Sequence, residues 1–181
     1  MGKNGGKWGI LCNFEGNVYD KDVRMRFLGN IEAKVDSKGR VFLPAQFRKL
    51  LMAPGENGLV LRQDIFESTL VIYPESVWNS LMDEMRANLS RWDRRQQMVF
   101  RTFVSGVTSI TMDSNGRILI PKDFLQAADI TQSVRFVGMG DTIEIWANKP
   151  QEELPLLGKD EFGTALEKLM NPNGNAAPTD E

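Results

Sequence analysis

Histidine is absent from this 181-residue chain, and cysteine occurs once, at Cys12. Without histidine there is no Ser/His or Cys/His nucleophile pair. One thiol cannot build an intrachain disulfide framework or a Cys/His zinc site. So thiol-poor a chain points to a reducing compartment. Long apolar runs are missing too. Nothing approaches the roughly 18 residues of a membrane-spanning helix, and Trp8 to Cys12 is too short for a secretory signal. Met1-Gly2 is followed by Gly6 where an acylation signal carries Ser or Thr. The phosphate-loop pattern does not occur, and Gly138-Met139-Gly140 is too little for a dinucleotide fingerprint. The absences together predict a cytoplasmic, non-catalytic protein with no metal, no cofactor, no small-molecule substrate and no membrane contact.

What the chain does have is a repeat. Asp36-Ser37-Lys38-Gly39-Arg40-Val41-Phe42-Leu43-Pro44 leads into Ala45-Gln46-Phe47. Asp113-Ser114-Asn115-Gly116-Arg117-Ile118-Leu119-Ile120-Pro121 leads into Lys122-Asp123-Phe124. Asp, Ser, Gly, Arg, Pro and Phe recur at a constant offset of 77 residues (113 − 36, 124 − 47), the mark of an internal duplication. Ahead of the first copy Ile31, Ala33 and Val35 alternate with polar residues, the period of a half-buried strand. Thr108, Ile110 and Met112 do the same ahead of the second. Asp and Ser at a loop entry bond nearby backbone N–H groups, and glycine supplies a positive φ. Pro44 and Pro121 suit the first position of a helix. Each unit therefore reads as strand, tight basic loop, short strand, helix.

A repeated D-S-x-G-R hairpin followed by an apolar-x-apolar-P-x-x-F segment resembles the MraZ family, relatives of the AbrB-type swapped-hairpin DNA binders. The likeness runs from about Met25 to about Trp146. It implies a bacterial transcriptional regulator with two AbrB-like halves per chain. It also implies assembly into a ring-like homo-oligomer on double-stranded DNA, at short repeated boxes near the division and cell-wall gene cluster. The fold class expected is mixed β with helices. Two hairpin units, each too short to bury its own apolar side, interlock within one chain into a small swapped-hairpin (double-split) β-barrel.

The predicted organisation has four parts: a disordered leader over 1–24, a first repeat with two following helices over 25–104, a second repeat over 105–149, and an acidic, partly disordered tail over 150–181. No function attaches to Cys12. The first helix runs from Pro44 to about Met52 and stops at Pro54-Gly55. Leu59-Val60-Leu61 and Thr69 to Tyr73 read as strands. After Pro74 the residues Val77, Trp78, Leu81, Met82, Met85 and Leu89 fall at helical spacing. Ser90-Arg91-Trp92-Asp93 has capping-box form and predicts the start of another helix, with Trp92, Gln96, Val99, Phe100 and Phe103 on one face. Val134 to Val137 and Thr142 to Trp146 are expected to pair with strands of the first half, and a short helix is expected over Asp160 to Met170. Phe47, Phe124, Trp78 and Trp92 are expected in the core.

The net charge of −2 conceals an asymmetry. Residues 150–181 hold seven acids and two bases, a net of −5, which leaves +3 on residues 1–149. Arg40 and Arg117 are the central candidates. A guanidinium after a loop glycine reaches phosphate or the O6/N7 edge of guanine, or it pairs with its own loop's Asp36 or Asp113 and braces the hairpin. Both roles can coexist, and the family resemblance favours DNA contact. Lys38 and Asn115 hold the same loop position, either on phosphate or base edges or as solvated tips. Asp36, Gly39, Asp113 and Gly116 are assigned to loop geometry. Arg24, Arg26 and Lys34 are lesser additions to the same surface. Arg91, Arg94, Arg95 and Arg101 admit three readings: a solvated helix face, a protomer–protomer surface, or a phosphate strip. The rival to a regulator is a non-catalytic antitoxin-like or assembly module that docks a protein partner through its acidic tail.

Overall fold

The computed structural model describes residues 26–52, 58–150 and 153–171. The leader with Cys12 and Arg24, the Pro54-Gly55 breaker and the extreme C-terminus lie outside the described residues. The elements in order are β1 (Asn30–Lys34), β2 (Arg40–Phe42), α1 (Ala45–Leu51), β3 (Leu59–Gln63), β4 (Leu70–Pro74), α2 (Glu75–Asn88), α3 (Arg94–Ser105), β5 (Val107–Ile110), β6 (Arg117–Leu119), α4 (Lys122–Ala127), β7 (Ser133–Gly138), β8 (Ile143–Ala147) and α5 (Lys159–Met170). They form two compact units, divided between Asn148 and Lys149.

In the first unit an antiparallel six-stranded sheet runs β1-β7-β8-β4-β3-β5, and β2 and β6 form a separate two-stranded ribbon. Exchanging the halves (β1 with β5, β3 with β7, β4 with β8) leaves this order unchanged. The duplication is therefore a pseudo-twofold relation in space. The ladders cross between halves: β1 pairs with β7, Ile31 opposite Phe136, and β5 pairs with β3, Ile110 opposite Leu59. As expected, β7 and β8 pair with strands of the first half, β8 with β4 through Leu70↔Ile145.

A closed barrel is not formed. No ladder joins β1 to β5 among the described residues, so the sheet keeps two ends. The physical reason lies in the return strands. After single bridges at Val35↔Val41 and Met112↔Ile118, β2 and β6 pair with each other and leave the main sheet open.

Strand alternation fills the core. Val41, Leu43, Ile118 and Ile120 point inward and are almost fully buried, while their neighbours face out. Phe27 and Phe47 meet edge to face at 5.6 Å and share that core with Leu61, Leu70, Ile72, Phe136, Ile143 and Ile145. Each such side chain contributes roughly 1.5–3 kcal/mol by leaving water. Pro44 and Pro121 sit one residue before their helices, with extended ψ of 138° and 150°, rather than at the first helical position.

Helices α2 and α3 cover Tyr73. Trp78 packs edge to face on Tyr73 and stacks on Phe103, and the Arg62 guanidinium lies 4.0 Å over the Phe103 ring. Val77, Trp78, Leu81, Met82 and Met85 are half-buried on one α2 face, and so is Leu89, the extended residue that ends the helix. The start of α3 differs from expectation. Its cap is Asp93, which accepts from the backbone N–H groups of Arg95 and Gln96, and Ser90 stands outside the helix. Trp92 thus precedes the first turn and is 95% exposed, not core. Val99 is exposed as well, and the partly buried residues of α3 are Gln96, Gln97, Phe100, Phe103 and Val104.

The second unit contains α5, within one residue of the expected start. Asp160 and Glu161 in its first turn and Lys168 in its last complement the helix dipole. Phe162, Leu166, Leu169 and Met170 are exposed along it. No described helix is long and apolar enough to cross a membrane.

Candidate nucleic-acid interface

Each basic loop is a five-residue clasp closed by its aspartate. Asp36 Oδ1 accepts the backbone N–H groups of Lys38 and Arg40 at 2.9 Å each, and Oδ2 accepts Arg40 Nε at 2.7 Å. The second loop repeats the pattern. Asp113 Oδ1 accepts from Asn115 and Arg117 at 2.9 Å, and Oδ2 accepts Arg117 Nε at 2.8 Å. Gly39 and Gly116 make the turns possible with φ of +84° and +81°.

These bonds favour the ionised carboxyl. The backbone N–H of Arg40, and then its guanidinium, hold the Asp36 carboxyl down at about 2. The backbone N–H of Arg117 leads the same lowering at Asp113. Both aspartates are thus fixed anions that organise the loop, the geometric role expected of them.

Each loop is also tied to the opposite repeat. Leu43 N–H donates to Gly116 O at 3.0 Å, and Ile120 N–H donates to Gly39 O at 2.9 Å. The β2–β6 ribbon lies between these ties, with Arg40 opposite Leu119, Val41 opposite Ile118 and Phe42 opposite Arg117. Val41 and Ile118 are buried, so Arg40, Phe42, Arg117 and Leu119 share the other face. Arg40 and Arg117 stand at diagonal positions on it, roughly 7–8 Å apart by antiparallel geometry. The two guanidinium groups therefore issue from one face, not from opposite ends.

Both arginines keep the bracing pair. Arg40 Nη2 lies 2.7 Å from Asp36 Oδ2, and Arg117 Nε is 2.8 Å from Asp113 Oδ2. The pairs are not sealed, since the arginine side chains are 36% and 25% exposed. Asp36 takes one edge of the Arg40 guanidinium, and no described residue takes the other. Phe42 and Leu119, 56% and 54% exposed, lie between the two cations, with Arg117 Cζ 5.7 Å from the Phe42 ring centre. Lys38 and Asn115 are exposed at the loop tips.

The structure does not join the α3 arginines to the ribbon through any described contact. Arg91 precedes α3; Arg94 and Arg95 begin it; Arg101 falls two turns after Arg94, and all four are exposed. Arg26 and Lys34 are exposed near the first repeat's entry.

Two features of the ribbon escape sequence reasoning. The outward pair Phe42 and Leu119 lies in short apolar runs that name no outer face, and the ribbon register sets both beside the loop arginines. Arg48 on α1 reads as an ordinary helix cation, yet it reaches the second loop. Its Nη1 donates to Asn115 O at 3.5 Å. A signal existed in the 77-residue offset, which equates Arg48 with Leu125.

The chain matches a family model described as "MraZ protein, putative antitoxin-like" over residues 26–100 and 103–153. It is 54% identical to the transcriptional regulator MraZ of Phocaeicola vulgatus over 83% of this chain and 97% of that one. It is 52% identical to the protein of that name from Bacteroides thetaiotaomicron, over 81% and 94% of the two chains. To that of Christiangramia forsetii it is 32% identical over the same shares.

Proposed function

The chain belongs to the MraZ family, and from that premise we propose that it is a non-catalytic, sequence-specific DNA-binding transcriptional regulator. One observation carries the reading: Arg40 and Arg117 share the outward face of a two-stranded ribbon, each pre-aimed by its own aspartate. A two-stranded ribbon fits the major groove, where an arginine fork suits guanine O6/N7 or phosphate. Holding one guanidinium edge on a fixed anion lowers the ordering cost when the other edge meets DNA. Lys38 and Asn115 extend the contact at the loop tips.

The crossed ladders support a swapped-hairpin arrangement of two repeats, residues 25–104 and 105–149, followed by an acidic tail over 150–181. Self-association into a ring presents several ribbons to successive turns of one duplex. Each site is weak and the sum strong, on boxes spaced about 10 bp. The target is the promoter of the division and cell-wall cluster, which places the protein in the cytoplasm at the nucleoid. Arg91, Arg94, Arg95 and Arg101 belong to the assembly surface in this reading, with phosphate contact as the other role open to them.

The test is a gel shift with duplexes selected from a random pool. Arg40→Ala costs about 1–3 kcal/mol and relaxes the preference at one base. Unchanged affinity and salt dependence in Arg40→Ala/Arg117→Ala rejects both as contacts. The exposed apolar stripe on α5 favours one second reading, an antitoxin-like module docking a protein. Pull-down with and without residues 150–181 separates it from the regulator, which needs no such partner.

A further inference from the structure

The two basic loops differ at their tips, lysine in one and asparagine in the other, and a second difference offsets the first. In the first loop Asp36, Lys38 and Arg40 sum to +1; in the second, Asp113 and Arg117 sum to zero, because Asn115 replaces the lysine. A cation from elsewhere restores the balance. A methyl group placed on Gly116 would collide with the Arg48 side chain, meeting Cδ at 2.6 Å, so that side chain lies directly against the second loop. On the first loop the same place is filled by Leu125, whose Cδ1 is 3.2 Å from a methyl on Gly39. Arg48 and Leu125 are the same position of the two repeats (125 − 48 = 77).

Arg48 differs from the two loop arginines in its partners. Arg40 and Arg117 are each neutralised by an aspartate of their own loop. Arg48 forms no ion pair among the described residues. Its Nη1 makes one long bond to Asn115 O, and its buried Nε has no partner among the described residues. A partly buried, uncompensated cation costs desolvation with no return in the free protein. A strongly charged ligand supplies that return.

We infer that Arg48 is the phosphate-binding cation of the second loop, the counterpart in charge of Lys38 in the first. The inference rests on the DNA-binding reading above. Each loop then presents one base-directed arginine and one phosphate-directed cation, delivered from the loop tip in one repeat and from the helix in the other. The role is sequence-independent, because phosphate carries no base information.

The experiment measures affinity against salt concentration by fluorescence anisotropy. The probe is a fluorescein-labelled 20-bp duplex recovered by selection with the wild-type protein, and Tm is followed by circular dichroism. Arg48→Leu installs the side chain its counterpart already carries, so the fold is expected to hold. It should flatten the log–log salt slope by about 0.9 per engaged protomer and weaken binding at 0.15 M salt about fivefold. Lys38→Asn should do the same, and Arg48→Lys should restore most of both. A merely structural Arg48 would move Tm and leave the slope alone; that result overturns the inference. So does a wild-type slope in Arg48→Leu while Arg40→Ala/Arg117→Ala has lost binding, and this leaves the DNA-binding reading standing. Failure of the wild-type protein to select any duplex, or equal binding by wild type and the Arg40→Ala/Arg117→Ala protein, overturns both.

Discussion

Gly39→Ala and Gly116→Ala are the same substitution at the same point of two repeats, and they should not cost the same. Both glycines have φ just above +80°, where an L side chain costs about 1–2 kcal/mol. That part is common. The surroundings then divide them. At Gly39 the new methyl lies 2.7 Å from the carbonyl oxygen of Ile120, a backbone atom held in place because Ile120 N–H bonds to Gly39 O. Relief requires the loop to part from the opposite repeat, and overpacking of this kind adds about 1–3 kcal/mol. At Gly116 the obstacle is the outer part of the Arg48 side chain, which swings away at little cost.

Gly39→Ala is therefore expected to destabilise by about 2–5 kcal/mol and Gly116→Ala by about 1–2 kcal/mol. The assay is urea unfolding at fixed protein concentration, with the midpoint shift read at unchanged slope. The two variants should separate functionally in the opposite sense. Gly116→Ala displaces Arg48 from its loop and should flatten the salt dependence of DNA binding, whereas Gly39→Ala leaves Arg48 in place. Equal stability losses in the two, or a larger loss at Gly116, would refute the reasoning.

Three more outcomes can be measured directly. Ile118→Ala removes a side chain 1% exposed at the centre of the ribbon and should cost about 2–5 kcal/mol in urea unfolding; a loss under 1 kcal/mol would mean that β2 and β6 do not cap the core. The Asp36 carboxyl titrates at about 2 in the folded chain against 3.8 ordinarily. Its contribution to stability is thus complete above pH 3.8 and disappears as pH falls through 2, and carbonyl NMR should find that low midpoint, with a value at or above 3.8 refuting the clasp. Trp92→Ser, at a site 95% exposed, should change unfolding free energy by less than about 0.5 kcal/mol; a loss above 2 kcal/mol would show that the indole is covered.

The elements most legible in the sequence were those with a short-range cause. Alternation before Asp36 and Asp113 marks β1 and β5, and the apolar spacing after Pro74 marks α2. What stayed illegible depends on competing local signals or on partners far along the chain. Ser90 and Asp93 both look like caps, and local pattern cannot say which one the backbone uses; the structure uses Asp93, and Trp92 is left in solvent. Val41-Phe42-Leu43 reads as an apolar strand with one side in, but the company of Phe42 on the outer face is set by a strand 77 residues away. Barrel closure failed for the same reason. Hydrophobic period says which face of β1 and β5 is covered, not whether their edges meet.

A hairpin of this kind that pairs with a second chain must present two identical loops, since any substitution appears twice. Joining the two hairpins in one chain removes that constraint, and the two loops here have separated at positions 38/115 and 48/125. What the separation preserves is informative. The loop residues alone carry +1 and zero; with Arg48 counted both carry +1, by a residue whose own repeat is the other one. Because Arg48 belongs to the first repeat and acts on the second, the charge balance holds only while the ribbon is intact. A break in the Val41–Ile118 pairing should cost DNA affinity on both loops together. In Ile118→Ala the affinity loss should accordingly exceed that of Arg48→Leu at matched salt, and retention of full affinity in a measurably destabilised Ile118→Ala protein would show that the loops act without the ribbon that aligns them.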